Sequence, residues 1–283
     1  MTRILACIDG STYSGSVADH TAWAVTRIAA SVDLLHVLGR PGDSSAPIDL
    51  SGNLDLGARD ALVAELVDLD IQKAKLAQKL GRDILADALQ RLGDNGVSKV
   101  SELLRRGDVL DTLKDFEEDA DLVVIGKRGG AADFAKLHLG SNLERVLRGS
   151  SKPVLVASRS YVPIRRFLIA FDGGSSAVKA VNYIAESPLF AGIACHIFTV
   201  SAGGEAEAGM REAEMRLRNA GFDVTVAVEE GGPGEVIARK VDDGAIDLLV
   251  MGAYGHSPIR TFIIGSTTTA LIRSCKVAAL LFR

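Results

Sequence analysis

Glycines and hydroxyl residues recur in this 283-residue chain at a spacing suited to holding a phosphate. Gly252-Ala253-Tyr254-Gly255 is followed by nine residues and then by Gly265-Ser266-Thr267. A glycine at a strand end lets the backbone turn sharply and lets an anion approach without a Cβ in the way. Gly265-Ser266 then opens a helical stretch. The first N–H groups of a helix have no intrahelical partner, and with the positive end of the dipole they form an anion site. Ser266 and Thr267 can add hydroxyl donors, or one of them can cap the helix. The first half carries a related frame: Gly126-Lys127-Arg128-Gly129, ten residues, then Gly140-Ser141-Asn142. Its extra residue either bulges out or spoils the cradle. Lys127 and Arg128 either contact phosphate or form a solvated basic turn. For both frames the competing reading is that the glycines serve turns and helix capping only.

Two carboxylates complete the set. Asp9 and Asp172 close the apolar runs Ile4-Leu5-Ala6-Cys7-Ile8 and Phe167-Leu168-Ile169-Ala170-Phe171, each followed by Gly. A carboxylate there can accept hydrogen bonds from a ribose or base, or hold a water on a metal ion. The competing reading is a cap for the helix that follows. The five His are scattered, and His256 falls inside the second glycine frame. No Ser/His/Asp order, HExxH or Walker Gly-Lys-Ser/Thr stands in the chain.

The elements that must position these residues come twice. Short continuous apolar runs closed by a turn signal read as buried parallel strands. After the first such strand comes a helical pattern (Ala18, Ala22, Val25, Ala29; then Val178, Val181, Ile184), and after that a second strand (Asp33 to Val37; His196 to Val200). Asp9 to Val37 and Asp172 to Val200 are both 28 positions apart, the mark of a duplicated unit. Asp121-Leu122-Val123-Val124-Ile125-Gly126 matches Asp247-Leu248-Leu249-Val250-Met251-Gly252, and each half closes on an apolar strand, Val154 to Ala157 and Ala279 to Phe282. Strands alternating with helices imply βαβ units, and five strands per half fit a doubly wound parallel sheet that binds ligands beyond its strand carboxyl ends.

The expected domains are 1–158 and 165–283, with Tyr161-Val162-Pro163 as linker. If Gly107 and Gly232 correspond, the first half holds about 38 extra residues, a helical insertion at about 41–95. Within it Leu62, Leu66, Leu69, Leu76, Leu80, Leu85, Leu89 and Leu92 fall at helical spacing. They read as one helix or a helix pair packed on the sheet, or as a lid or docking face. The closing strands of the two halves can pair with each other and so cover their edges.

Bulk composition narrows the class. Net charge is -4 with no basic block, which argues against a nucleic-acid partner. No apolar run approaches the length of a membrane span. Cys7, Cys195 and Cys275 lie far apart, an odd count read as buried free thiols of a cytoplasmic protein.

Together these residues resemble the universal stress protein family in its tandem form. The family's loop Gly-x-x-Gly-(nine)-Gly-Ser/Thr is matched by Gly252, Gly255, Gly265 and Ser266. Its acidic residue after strand one is matched by Asp9 and Asp172, and its strand-two close by His36-Val37 and, more loosely, Thr199-Val200. The stretch Leu139 to Arg148 with Lys152-Pro153-Val154 looks like the family's C-terminal segment. The family's Ser-x-x-Ser is present as Ser11 and Ser14 but replaced by Gly174 and Ala177 in the second half.

The resemblance implies an adenine nucleotide alpha hydrolase-like, Rossmann-like fold with strand order 3-2-1-4-5. It also implies ATP or another adenine nucleotide, with Mg2+ (or Mn2+) bridging the phosphates through water and no direct metal ligand. Carried over, the preferred site is Asp172, Val200 and Met251 on the adenosine side, and Gly252, Gly255, Gly265, Ser266 and Thr267 on the phosphate side. The weaker set is Asp9, Val37, Gly126, Gly129, Gly140 and Ser141. The expected function is ATP binding in a regulatory or stress-resistance role without dedicated catalysis. The halves are expected to form an intramolecular pseudo-dimer, with a further homodimer open. The alternatives are a slow ATPase, an adenylating enzyme (Asp172-Gly173-Gly174-Ser175-Ser176 resembles in part the pyrophosphate loop of that class) and a nucleotide-free adaptor using the leucine-rich insertion.

Overall fold

The computed structural model describes residues 2–39, 56–127, 140–200, 204–253 and 265–283. In the first half β1 (Arg3–Cys7), α1 (Ser14–Ile28), β2 (Ser31–Leu38), α2 (Leu56–Asp94), β3 (Val100–Arg106), α3 (Val109–Glu117), β4 (Leu122–Gly126), α4 (Ser141–Gly149) and β5 (Val154–Ala157) follow in order. The second half runs β6 (Arg166–Ala170), α5 (Ser175–Glu186), β7 (Ala194–Val200), α6 (Gly204–Asn219), β8 (Val224–Glu229), α7 (Pro233–Asp243), β9 (Leu248–Gly252), α8 (Ser266–Ser274) and β10 (Ala278–Phe282). Each half has the expected order 3-2-1-4-5, all parallel. The two sheets are fused: β5 and β10 pair antiparallel, Leu155 opposite Leu280, giving one ten-stranded sheet. Each half thus covers the other's exposed strand edge.

Helices cover both faces. Strand side chains alternate between two cores: Ile4 and Ala6 pack with α1, α2, α5 and α6, while Leu5 packs with α3, α4, α7 and α8. Continuous apolar strands are what a sheet buried on both sides demands. In α5 it is Ala177, Ala180, Val181 and Ile184 that face the core; Val178, expected on that face, is exposed. Ala29 is the left-handed C-cap of α1 rather than a core position.

The duplication has a physical basis at the strand starts. Asp121 Oδ2 accepts the backbone N–H of Arg3 at 2.9 Å, and its counterpart Asp247 accepts those of Arg165 and Arg166 at 2.8 and 3.0 Å. At the strand ends Gly10 (φ +74°) and Gly173 (φ +76°) share a left-handed turn that favours glycine. After the third strand of each half, Gly107 (φ +147°) and Gly231 (φ +136°) are the true counterparts, and Asp108 and Gly232 are the helix N-caps. Val37 to Asp108 is 71 positions and Val200 to Gly232 is 32, so the first half is longer by 39, not 38.

The described part of the insertion is a single helix, α2, 39 residues long or about 58 Å. Only its C-terminal part packs as expected. Leu85 and Leu92 are buried, Leu89 is partly buried, and Arg91 grips Asp19 of α1 with two bonds of 2.6 and 2.7 Å. Gly81 is the point of closest approach, where a Cβ would stand 2.9 Å from Leu104 and 3.0 Å from His36. N-terminal to it the helix leaves the body: Leu69, Leu76 and Leu80 are 45%, 66% and 61% exposed, against the expectation of a stripe lying on the sheet. Residues 40–55 of the insertion lie outside the described residues.

Candidate functional site

In the second half the register sets Ala170 beside Phe198 of β7 and Met251 of β9, so Asp172, Val200 and Gly252 follow on neighbouring strands at one carboxyl rim. Met251 is buried under that rim, and Val200 is half-buried against the same core. Asp172 Oδ1 accepts the N–H of Gly174 at 2.9 Å. This i to i+2 bond is an Asx-turn leading into α5, not a cap on the helix, whose N-cap Gly174 has no side-chain bond.

The phosphate side is built where β9 meets α8. Gly265 donates its N–H to Ala253 O at 3.3 Å, and Thr268 Oγ1 donates to Gly252 O at 3.3 Å. These two bonds fix the first turn of α8 against the end of β9. Gly265 is the N-cap, with no side-chain cap bond, and the hydroxyls of Ser266 and Thr267 do not cap the helix. The first-turn N–H groups of α8 therefore lack the partner that Ser, Thr, Asp or Asn supplies at an N-cap.

The two described glycines of the frame have different reasons to be glycine. A Cβ on Gly252 would stand 2.9 Å from Ser176 Cβ and 3.5 Å from Ala177 N, so this glycine admits the N-terminus of α5. This packing is a structural reason for glycine at 252, beside the phosphate approach expected of it. Gly265 has φ -57° and ψ 141°, which any residue adopts, and among the described residues a Cβ there would meet Thr268 Oγ1 at 3.4 Å and Ala253 O at 4.0 Å, both ordinary contacts. Among the described residues no neighbour crowds a side chain at 265, although glycine is itself a favoured N-cap. Gly255, His256 and the rest of that loop lie outside the described residues.

The first half repeats the scheme with more of its polar groups engaged. Cys7 is in register with Leu35 and Ile125, so Asp9, Val37 and Gly126 share a rim. Asp9 Oδ1 accepts from Ser11 N at 3.0 Å and from Ser14 Oγ at 3.4 Å, and Ser14 Oγ accepts from Gly10 N at 2.9 Å. The two serines thus close the turn on itself. His36 is buried and bonds Ile8 O through Nδ1 at 2.7 Å, holding the ends of β1 and β2 together. Ile84 of α2 lies over the turn, 2.6 Å from where a Cβ of Gly10 would be. Gly140 caps α4 as Gly265 caps α8, again with no side-chain bond, and Ser141 is the first residue of that helix. Gly129 and Arg128 lie outside the described residues, as does the ten-residue gap.

Lys127 meets neither sequence-based expectation. It is buried, and its ammonium donates to Cys275 O at 2.5 Å. Cys275 is the C-cap of α8, so the cation sits at the negative end of a helix of the other half. Arg283 Nη1 makes the reciprocal bond, 2.8 Å to Arg148 O in the last turn of α4.

Polar residues that the sequence reading passed over complete the first half. Glu117 is buried, and its Oε1 accepts from Ser150 Oγ (2.8 Å), Ser151 N (2.5 Å) and Lys152 N (3.0 Å), stitching α3 to the segment before β5. Asp108 caps α3 through Leu110 N and Asp111 N and takes two bonds from Arg145 of α4, 2.6 and 2.8 Å. The Arg145 guanidinium, with those backbone donors, holds the Asp108 carboxyl down at about 2. The Asp108 N-cap was legible from its type and place before a helix; Glu117 offered no such signal. Among the described residues no three His, Cys, Asp or Glu side chains cluster as a metal site, and no helix is long and apolar enough to cross a membrane.

Comparison with known proteins agrees with the fold. The profile of the "Universal stress protein family" matches residues 1–158 and 200–283. Universal stress protein Slr1230 of Synechocystis sp. is 38% identical over 287 residues, covering 100% of both chains. A universal stress protein of Mycolicibacterium smegmatis is 23% identical over 304 residues, covering 99% of this chain and 96% of the other. The crystal structure of a universal stress protein from Archaeoglobus fulgidus superposes with a TM-score of 0.71 at 24% identity, covering 99% of this chain and 98% of that one.

Proposed function

Because the chain belongs to the universal stress protein family, we propose that its second half binds an adenine nucleotide, ATP first among them, in a regulatory or stress-resistance role in the cytoplasm. We read residues 1–158 and 165–283 as its two domains. The observation that carries the proposal is Gly265. No described neighbour crowds it, while its place at the start of α8, without a side-chain cap, is where a bulky side chain would meet a phosphate. Ser266 and Thr267 extend their hydroxyls from the same turn, and Gly252 and Gly255 are the remaining glycines of the frame. Asp172, Val200 and Met251 line the adenosine side. Mg2+ or Mn2+ would meet the phosphates through water, neutralising charge that the helix dipole only partly offsets. In the first half Asp9, Val37, Gly126, Gly129, Gly140 and Ser141 form a second, weaker candidate, already crossed by Ser11, Ser14 and Ile84.

The test is calorimetric titration of the full chain with Mg-ATP, with denaturation of the purified protein to identify any carried nucleotide. Gly265→Val should abolish binding, and Gly140→Val should leave most of it. No carried nucleotide and no binding at millimolar ATP would reject the proposal in favour of an adaptor. Phosphate release above about 1 per second would instead mark an enzyme.

A further inference from the structure

The exposed part of α2 holds a seam with no partner among the described residues. Leu62, Leu66, Leu69, Lys73, Leu76 and Leu80 recur at steps of four, three, four, three and four, the a/d pattern of a coiled coil. From Leu69 to Leu80 all members of the seam face solvent.

Charge along this arm is polarised. Its outer part carries Glu65, Asp68 and Asp70, and its inner part Lys73, Lys75, Lys79 and Arg82. Among the described residues Asp70 pairs with Lys73 at 3.9 Å, while Glu65 and Lys79 have no ion-pair partner.

We propose that this arm pairs antiparallel with the same arm of a second copy of the chain. A twofold axis level with residue 71 sets Leu62 against the partner's Leu80, Leu66 against the partner's Leu76, and Leu69 against the partner's Lys73. The same axis sets Glu65 against the partner's Lys79 across one flank of the seam. It also brings Asp70 next to the partner's Lys73, which neutralises the one charged residue of the seam. Acidic end thus meets basic end twice, as an isologous contact requires. A parallel pairing would set Glu65 against the partner's Asp70 on both flanks of the seam, a like-charge contact made twice, which disfavours that alignment. An anionic lipid surface would be repelled by the outer, acidic part.

The experiment is sedimentation equilibrium of the full chain from about 1 to 100 µM, together with Glu65→Lys, Lys79→Glu and Leu76→Asp. The wild type should be a dimer. Each charge variant turns two attractive contacts into repulsive ones and should weaken association about tenfold. Leu76→Asp should give monomer that still unfolds in one cooperative transition, because the residue is exposed in the single chain. An equimolar mixture of Glu65→Lys and Lys79→Glu should restore the dimer, since every Lys then faces a Glu. A monomeric wild type, a dimer indifferent to all three substitutions, or a mixture that stays dissociated would each overturn the proposal.

Discussion

The ammonium of Lys127 lies 2.5 Å from the carbonyl oxygen of Cys275, across 148 positions of sequence. One residue beyond β4, a cation of the first half terminates a helix of the second. Removing it strands a buried carbonyl and uncovers the negative end of α8. Lys127→Met should therefore cost about 1–3 kcal/mol in urea denaturation. Arg283→Ala, on the exposed reciprocal bond, should stay within about 0.5 kcal/mol. Equal effects would contradict the assigned difference in burial.

The two glycines of the second frame should separate on substitution. Gly252→Ala pushes a Cβ to 2.9 Å from Ser176 Cβ and should destabilise by about 1–3 kcal/mol. Gly265→Ala meets nothing closer than Thr268 Oγ1 at 3.4 Å and should cost only about 0.5–1 kcal/mol, the preference of an N-cap for glycine over alanine. Thermal melts without nucleotide read both. A Gly265→Ala variant that melts well below wild type would show that the fold itself needs that glycine.

Asp108 gives a pH signature. Its folded-state value near 2 lies below the unfolded carboxylate value near 4. Stability from this group is therefore complete above about pH 4 and lost as pH falls toward 2. Asp108→Ala should cost about 1 kcal/mol at pH 7 through the lost cap alone, more with the Arg145 bonds. The gap between variant and wild type should close below pH 3. A gap constant from pH 7 to 2.5 would rule out this source.

Free thiols should resist reagents in the native protein. Burial pushes Cys7 and Cys195 up to about 12, and burial raises Cys275 against the opposing pull of Lys127. At pH 8 the reactive thiolate is then scarce at all three. A disulfide-exchange reagent should label the folded protein slowly and all three cysteines once denatured. Rapid native labelling would contradict the burial.

Sequence alone carried the strands because burial on both faces leaves an unbroken apolar run, and the duplication because Asp9–Val37 and Asp172–Val200 repeat one spacing. It carried the pairing of the last strands because an exposed edge needs a cover. What it missed depends on which atoms tertiary folding brings together. Lys127 reads as a loop cation until α8 ends beside it. Glu117 reads as a surface helix residue until Ser150 to Lys152 close over it. The leucines of α2 share one spacing, yet the body ends at Gly81, so Leu85 is buried and Leu80 is not. Val178 has the right type for a core position, but small alanines at 177 and 180 take it instead.

The antiparallel step at β5 and β10 has a consequence for ligand occupancy. Because polarity reverses there, the carboxyl edges of the two halves face opposite ways, a strand length of about 17 Å apart even at the junction. Two nucleotides bound at these edges could not share a metal ion or trade a phosphate. Each edge instead receives the start of its own last helix and the tail of the other half's. Lys127 and Arg283 neutralise those tails, so a ligand's charge at either edge is not met by the wrong end of a dipole.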